Sequence, residues 1–342
     1  MTPVQPDRLI AVHENTDVAA ARRAASSIAI KAGFDEHDAA RVAVIATEAA
    51  SNLLKHARGG DLILRDVSLP AAPRLEILAV DRGKGMSNPA RCFEDGYSTA
   101  GSPGTGLGAI ARASQLFDLY SASGNGTVLL SRAVSNGADP LNGHTGKDVV
   151  IGAINAPYPG EEVSGDAWTY SSQPGRLRIL LADGLGHGIL ASEASHAALP
   201  CLDEPRNTQP ADVIEDANVR LKITRGAAVG VAEVDFRAET LLFSGMGNIV
   251  AAIIAPSEVK RQLVSMNGTV GHETTKARQF EYPFEPASLL IMHSDGLSSH
   301  WGLEKYPGLF QKHPSIIAGV LFRDFRRTRD DATVVVARGA GA

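Results

Sequence analysis

Leu180-Leu181-Ala182-Asp183-Gly184-Leu185-Gly186-His187-Gly188 is the stretch whose reading decides the fold. An apolar run ends at an acid, glycines follow at once, and a helix-like segment begins at Ile189. A carboxylate at the mouth of a buried strand, beside unhindered backbone, can reach a hard cation through both its side chain and a carbonyl. Three more acidic points lie far off along the chain: Asp166 in Val163-Ser164-Gly165-Asp166, Asp295 in Ser294-Asp295-Gly296, and the pair Asp330-Asp331. Each sits where an apolar strand-like run meets a turn. One Asp-Gly pair alone is most often a turn and nothing more. Four acidic points at strand edges read together as one metal cluster assembled by folding. Asp330 is preferred to Asp331, because neighbours in an extended strand face opposite ways.

At 342 residues the chain is too long for one comfortable core, and two domains are expected. Hydrophobic content of 44% with 21% charged residues describes an ordinary globular protein. A formal net charge of -5 leaves no basic footprint, which argues against a nucleic-acid partner. Cys92 and Cys201 have neither metal-ligand nor redox-motif spacing and fit a reducing compartment. Met1 to Asp7 lack the basic-then-apolar pattern of a signal peptide, and no apolar run nears the roughly 20 residues that span a bilayer. The expectation is a cytoplasmic protein with no membrane partner.

In the first half, Asp17 is expected to cap a helix that runs to Ala32 and stops at Gly33, and Asp35 to cap a longer one reaching Ala57. Taking ~100° per residue from Glu48, Asn52 lies ~40° round, Lys55 ~20° the other way and His56 ~80° round. Val42, Ile45, Ala46, Ala49 and Leu53 fill the neighbouring arc, so an apolar docking face borders a polar stripe. Strands over 62–64 and 75–80 follow, the second ending in Asp81-Arg82-Gly83-Lys84-Gly85. An acid at a strand end with two spaced glycines suits hydrogen bonding to a base. Gly101-Ser102-Pro103-Gly104-Thr105-Gly106-Leu107-Gly108 then opens a helix, and the free N–H groups there form a phosphate cradle. Leu116 to Val134 reads as a hairpin about Gly124-Asn125-Gly126.

These three signals resemble the nucleotide-binding boxes of the GHKL ATPase superfamily. Ala46 to Ala57 and Asp95 to Gly101 resemble the RsbT branch of switch-protein and anti-sigma-factor kinases, over about Val12 to Arg132. The resemblance implies ATP with Mg²⁺: Asn52 on the metal, Asp81 on the adenine amino group, and Gly83, Gly85, Gly104, Thr105, Gly106, Leu107 and Gly108 around the nucleotide. Glu48 is implied as the base that orients a substrate hydroxyl. Lys55 is a candidate for phosphate charge, with an ordinary surface lysine as the alternative, and His56 reads as structural.

Residues 135–146 are rich in turn formers and form the expected linker between a domain over 1–134 and another over 147–342. In the second, strands near 149–154, 167–170 and 178–182 precede helices over 189–199 and 213–221. Strands over 227–235, 240–244, 249–254 and 289–294, a helix over 316–325 and a strand over 332–337 follow. That order suggests two sheets face to face with helices outside.

The acid positions resemble the metal-dependent PPM phosphatases of the SpoIIE/RsbX branch. The resemblance implies an α-β-β-α sandwich behind a GHKL (Bergerat) α/β sandwich, and so an α/β two-domain protein. It also implies two Mn²⁺ or Mg²⁺ ions, with Asp183 bridging, the Gly184 carbonyl assisting, Asp295 and Asp330 completing one shell, and Asp166 acting directly or through water. His187 reads as packing, Asn248 as non-catalytic, and Arg176, Arg178 and Arg225 as candidate phosphate grips. The whole is expected to be a bifunctional partner-switching regulator acting on STAS-domain proteins. A sigma factor or a downstream signalling enzyme is a further expected partner, and homodimer pairing is compatible with the resemblance. The alternatives are a phosphatase whose GHKL domain only senses ATP, or one fused to a non-catalytic module that sequesters a partner.

Overall fold

A computed structural model describes residues 7–69, 72–87, 106–135, 149–272 and 276–339. The first elements are β1 (Arg8–Val12), α1 (Asn15–Ala32), α2 (Glu36–Ala57), β2 (Gly60–Asp66), β3 (Arg74–Val80), α3 (Gly106–Ala113), β4 (Leu116–Ser121) and β5 (Thr127–Val134). Then come β6 (Val149–Ala156), β7 (Asp166–Gln173), β8 (Arg176–Gly184), α4 (Ile189–Ala198), α5 (Pro210–Arg220), β9 (Ala227–Asp235) and β10 (Thr240–Met246). The last are β11 (Val250–Ile254), β12 (Lys260–Gln262), β13 (Gln279–Pro283), β14 (Leu289–His293), α6 (Pro314–Phe325) and β15 (Ala332–Gly339). The described residues fall into two compact units. One lies within Asp7–Gly143 together with Gln311–Arg323, the other within His144–Phe310 together with Asp324–Ala342. The sequence reading placed all of 147–342 in one domain, so residues 311–323 are where the two divisions differ. The expected linker lies mostly outside the described residues.

In the first unit an antiparallel sheet runs in the order β1-β2-β3-β5-β4. Ala21, Ala25 and Ala29 of α1 and Val42, Ile45, Ala49 and Leu53 of α2 pack with Leu62, Leu64, Leu75, Ile77 and Ala79 on one face. The alanines of α1 let this helix lie close on its neighbour, and the apolar arc of α2 is the one its 3.6-residue period prescribes. Asp35 caps α2 as expected, accepting the Asp38 N–H at 2.7 Å. Asp17 does not occupy the cap position of α1. Glu14 does, and Asp17 reaches back from the third helical position to the N–H groups of Glu14 (3.0 Å) and His13 (2.8 Å). This is a capping box, in which the acid one turn inside satisfies the orphan donors.

Every residue of β3 is buried, so its second face is covered as well. Glu76 and Leu78 pair across to Arg132 and Leu130, and Asp118 to Leu130, which puts them all on that second face. The covering element is α6. Gly319 lies so near the sheet that a Cβ there would sit 2.6 Å from Val128 Cγ1. Lys312 Nζ donates to Asp118 at 2.9 Å, and Ser315 Oγ to Glu76 at 3.1 Å.

The second unit holds two five-stranded sheets, ordered β13-β10-β9-β8-β7 and β12-β11-β14-β15-β6. Trp168, Ile179, Leu181 and Phe243 from one meet Ala153, Ile253, Met292 and Val335 from the other. Leu180 and Ala182 alternate with that set and face Ala198, Val213 and Ala217, so α4 and α5 lie outside the first sheet. The α/β expectation, with sandwiched sheets, holds. β1, β12 and β13 were not foreseen: β12 is three polar residues, and β13 is an edge strand ending at Pro283. Among the described residues no helix is long and apolar enough to cross a membrane.

Candidate functional site

The register of β7 and β8 places Asp166 directly opposite Asp183 at one end of the sandwich. Asp166 is only 1% exposed. Its Oδ2 accepts the Ser294 hydroxyl at 2.6 Å, and that hydroxyl accepts the Thr333 N–H at 3.0 Å. Its Oδ1 is buried with no hydrogen-bond partner among the described residues. The Ser294-Asp295-Gly296 turn presses against the start of β15: a Cβ at Gly296 would lie 1.8 Å from the Asp331 carbonyl oxygen, so no other residue fits. This approach brings the Asp295 and Asp330 carboxylates into contact.

Asp183, Asp295 and Asp330 line one cleft of about 250 Å³ with Tyr158, His187, Asn248 and Arg329. Burial, and then the charges of Asp166, Asp295, Asp330 and Asp331, push Asp183 far above the usual carboxylate range. Burial raises Asp166 despite the Ser294 hydroxyl bond it accepts. Asp330 is raised by burial and by Asp295. Such crowding leaves carboxylates short of positive charge. No three Asp, Glu, His or Cys side chains among the described residues gather round a single ion-sized point. Asp183, Asp295 and Asp330 line the cleft itself, and Asp166 lies buried behind it, opposite Asp183 in the strand pairing. The donor set still fits hard divalent cations: all oxygen, with one buried oxygen unpartnered and like charges that a cation relieves.

Asp331 turns to the backbone and accepts the Tyr158 N–H at 2.8 Å. His187 stacks on Tyr158 at 4.5 Å and meets Glu161 at 3.0 Å. Arg176 and Arg178 line a different groove, paired with Asp235 (3.0 Å) and Glu233 (3.3 Å). Arg225 lies beside Gly186. Sequence reasoning gave no role to three residues of the cleft, Tyr158, Asn248 and Arg329. Asn248 donates to Asp295 Oδ2 at 3.3 Å, and Arg329 supplies a cation. The only signals were an Asn closing Gly245-Met246-Gly247 and a run of arginines before Asp330.

In the first unit, three expected boxes meet on α2. A Cβ at Gly106 would lie 3.3 Å from Asn52 Oδ1 and 3.4 Å from Glu48 Oε2, so both side chains converge on the start of α3. One turn on, the Asp81-Gly85 loop lies against α2, with Gly83 almost touching Ala57. Asp81 Oδ1 accepts the N–H groups of Gly83 (2.7 Å) and Thr127 (3.2 Å), and burial raises its pKa. Gly85 (φ 63°) packs where a Cβ would be 2.0 Å from the Ala122 carbonyl. Asn52 Nδ2 is buried without a partner among the described residues, which suits a ligand-facing amide. Leu107 and Gly108 begin α3, and Lys55 is exposed. Gly104, Thr105 and the Asp95–Gly101 segment lie outside the described residues.

An antiparallel sheet backed by α1 and α2 with a glycine-opened α3 defines a GHKL-like ATPase fold, and the carboxylate-edged double sandwich a PPM-type phosphatase fold. Residues 12–132 match the histidine kinase-like ATPase domain family, and residues 173–339 match stage II sporulation protein E (SpoIIE). Over 113 residues the chain is 34% identical to the serine/threonine-protein kinase RsbT of Bacillus subtilis (strain 168), covering 33% of this chain and 85% of that protein. Over 139 residues it is 26% identical to the phosphoserine phosphatase RsbX of the same organism, covering 41% of this chain and 70% of that protein. A chain in a solved structure of the bacterial stressosome shares its fold, with TM-score 0.52 and 22% identity over 56% of this chain and 99% of that one. The chain belongs to the RsbT family of histidine kinase-like ATPase domains, here joined to a SpoIIE-type PPM phosphatase domain related to RsbX.

Proposed function

We propose that the C-terminal domain removes phosphate from a serine or threonine of a STAS-domain protein, and that the N-terminal domain transfers the γ-phosphate of ATP to such a residue. The observation that carries the first half is the set of crowded carboxylates, with an unpartnered Asp166 oxygen, at the edge of a PPM-type sandwich. Two Mn²⁺ or Mg²⁺ ions would be held by Asp183, the Gly184 carbonyl, Asp166, Asp295 and Asp330. When bound they supply an activated water and neutralise the phosphoryl oxygens. Ser294 and Asn248 hold Asp166 and Asp295 in place, and Arg329 offers its guanidinium to the incoming phosphoryl group. Purified protein with Mn²⁺ is expected to dephosphorylate a phosphorylated STAS protein; intact phosphoprotein after incubation would exclude this.

In the N-terminal domain, Glu48 is the base for the substrate hydroxyl. Asn52 is a ligand of the Mg²⁺ that ATP carries, and Asp81 has its Oδ2 free of the Gly83 and Thr127 bonds for the adenine amine. Gly83, Gly85 and Gly104 to Gly108 enclose the nucleotide, and Lys55 steadies its phosphates. The convergence of Glu48 and Asn52 on Gly106 supports this reading. Glu48→Ala is expected to slow phosphate transfer by ~10²–10⁴-fold, the usual worth of a positioned base. ATP affinity, measured by calorimetry, is expected to change by less than about threefold, since the carboxylate faces the acceptor. A wild type that binds ATP and transfers none would mark the domain as a sensor.

A further inference from the structure

Beside the metal cleft lies a larger groove of about 540 Å³. The two share Asn248 and Asp295 in their linings, so they adjoin within one unit. Ile249, Leu263 and Leu297 form an apolar floor, and Val264, 47% exposed, adds an uncovered apolar wall. Apart from Asp295, Arg327 is the one charged residue among the described lining.

Arg327 and Arg329 stand two apart in the exposed segment after α6. Arg329 lines the cleft and Arg327 the groove, so one loop furnishes a cation to each. The Arg327 N–H donates to the Gly296 carbonyl at 2.8 Å, which ties that loop to the Asp295 turn. Among the described residues no carboxylate forms an ion pair with its guanidinium. A space of ~300–1,000 Å³ encloses a ligand of several groups, more than a phosphate ester alone. An apolar floor with a single guanidinium suits a short stretch of polypeptide carrying one acidic side chain.

We propose that this groove holds the polypeptide flanking the phosphorylated residue, and that Arg327 selects an acidic side chain in that flank. The assignment rests on the phosphatase reading of the adjoining cleft. It makes the substrate class an acidic-flanked phosphoserine or phosphothreonine segment.

The test uses the full-length protein and fluorescein-labelled phosphoserine peptides whose flanks carry Glu, Ala or Lys. Anisotropy on metal-free protein and kcat/KM with Mn²⁺ are both read. The wild type is expected to prefer Glu over Lys by ~10-fold, the sum of one favourable and one unfavourable exposed charge contact. Arg327→Ala is expected to lower that preference to about twofold, and Arg327→Glu to reverse it. Equal binding of the three peptides by the wild type, or a preference untouched by Arg327→Glu, would overturn the assignment. Hydrolysis of p-nitrophenyl phosphate by the wild type checks the cleft separately. If it fails, the phosphatase reading falls, while the anisotropy ranking still decides whether the groove takes acidic peptides.

Discussion

Asp183→Asn is expected to slow phosphoester hydrolysis by ~10²–10³-fold or more, the scale on which a preorganised charge at the reacting group acts, while making the metal-free protein more stable. Both effects come from one fact. Asp183 is a carboxylate packed among Asp166, Asp295, Asp330 and Asp331, and its pKa in the folded chain is pushed well above its unfolded value. For an acid raised in this way, the folded state binds more protons than the unfolded one above the ordinary carboxylate range. Stability of the chelated wild type therefore falls as pH climbs through and beyond that range. An amide removes this member's share of the repulsion, so melting curves of Asp183→Asn in chelator should slope less with pH. The gain in Tm on adding Mn²⁺ should shrink as well. Identical pH slopes for the two proteins would contradict this account of the cleft.

Glu76→Gln is expected to cost about 3 kcal/mol at neutral pH. Glu76 is fully buried, which by itself would raise its pKa. Arg132, Arg65 and His313 outweigh that and hold it down to about 2. Arg132 bonds Glu76 through both Nε (3.0 Å) and Nη2, and Ser315 adds its hydroxyl at 3.1 Å. Because the folded pKa lies below the ordinary glutamate value of 4.5, the stabilisation is complete above that value. It is lost as pH drops from there towards 2. The variant takes the Glu76 anion from the guanidinium groups of Arg132 and Arg65, 15% and 6% exposed, and leaves Arg65 with Asp7 at 3.8 Å. Chemical denaturation should show the loss at pH 7 and a much smaller difference near pH 2. Ser315→Ala should cost roughly 1 kcal/mol through the same acceptor. If neither change alters unfolding, Glu76 and its partners are not what holds this face.

Much of this was legible before any coordinates. Apolar runs ending in acids marked β8 and β14, and α2 showed both its docking arc and its Glu48–Asn52 stripe through periodicity alone. What stayed hidden depended on long separations. Nothing in Leu75-Glu76-Ile77 says that the acid is buried, because its partners Arg132 and Ser315 stand 56 and 239 residues away. Asn248 was read as non-catalytic, and only the fold sets it against Asp295. Asp17 was misplaced by three residues because an acid suits the cap position and the third helical position equally well. Edge strands escaped for a different reason: Lys260 to Gln262 carry no apolar signal, since little of their surface is buried.

The path of α6 has a practical consequence. The chain leaves the first unit, builds most of the second, returns for residues 311–323, and then goes back to place Asp330 and β15. A single scissile site near residue 140 would not yield two finished pieces. A fragment ending at residue 134 would expose Leu78 and Val128 and strip Glu76 of Ser315, and is expected to precipitate or to need a supplied peptide spanning 311–323 to stay dispersed.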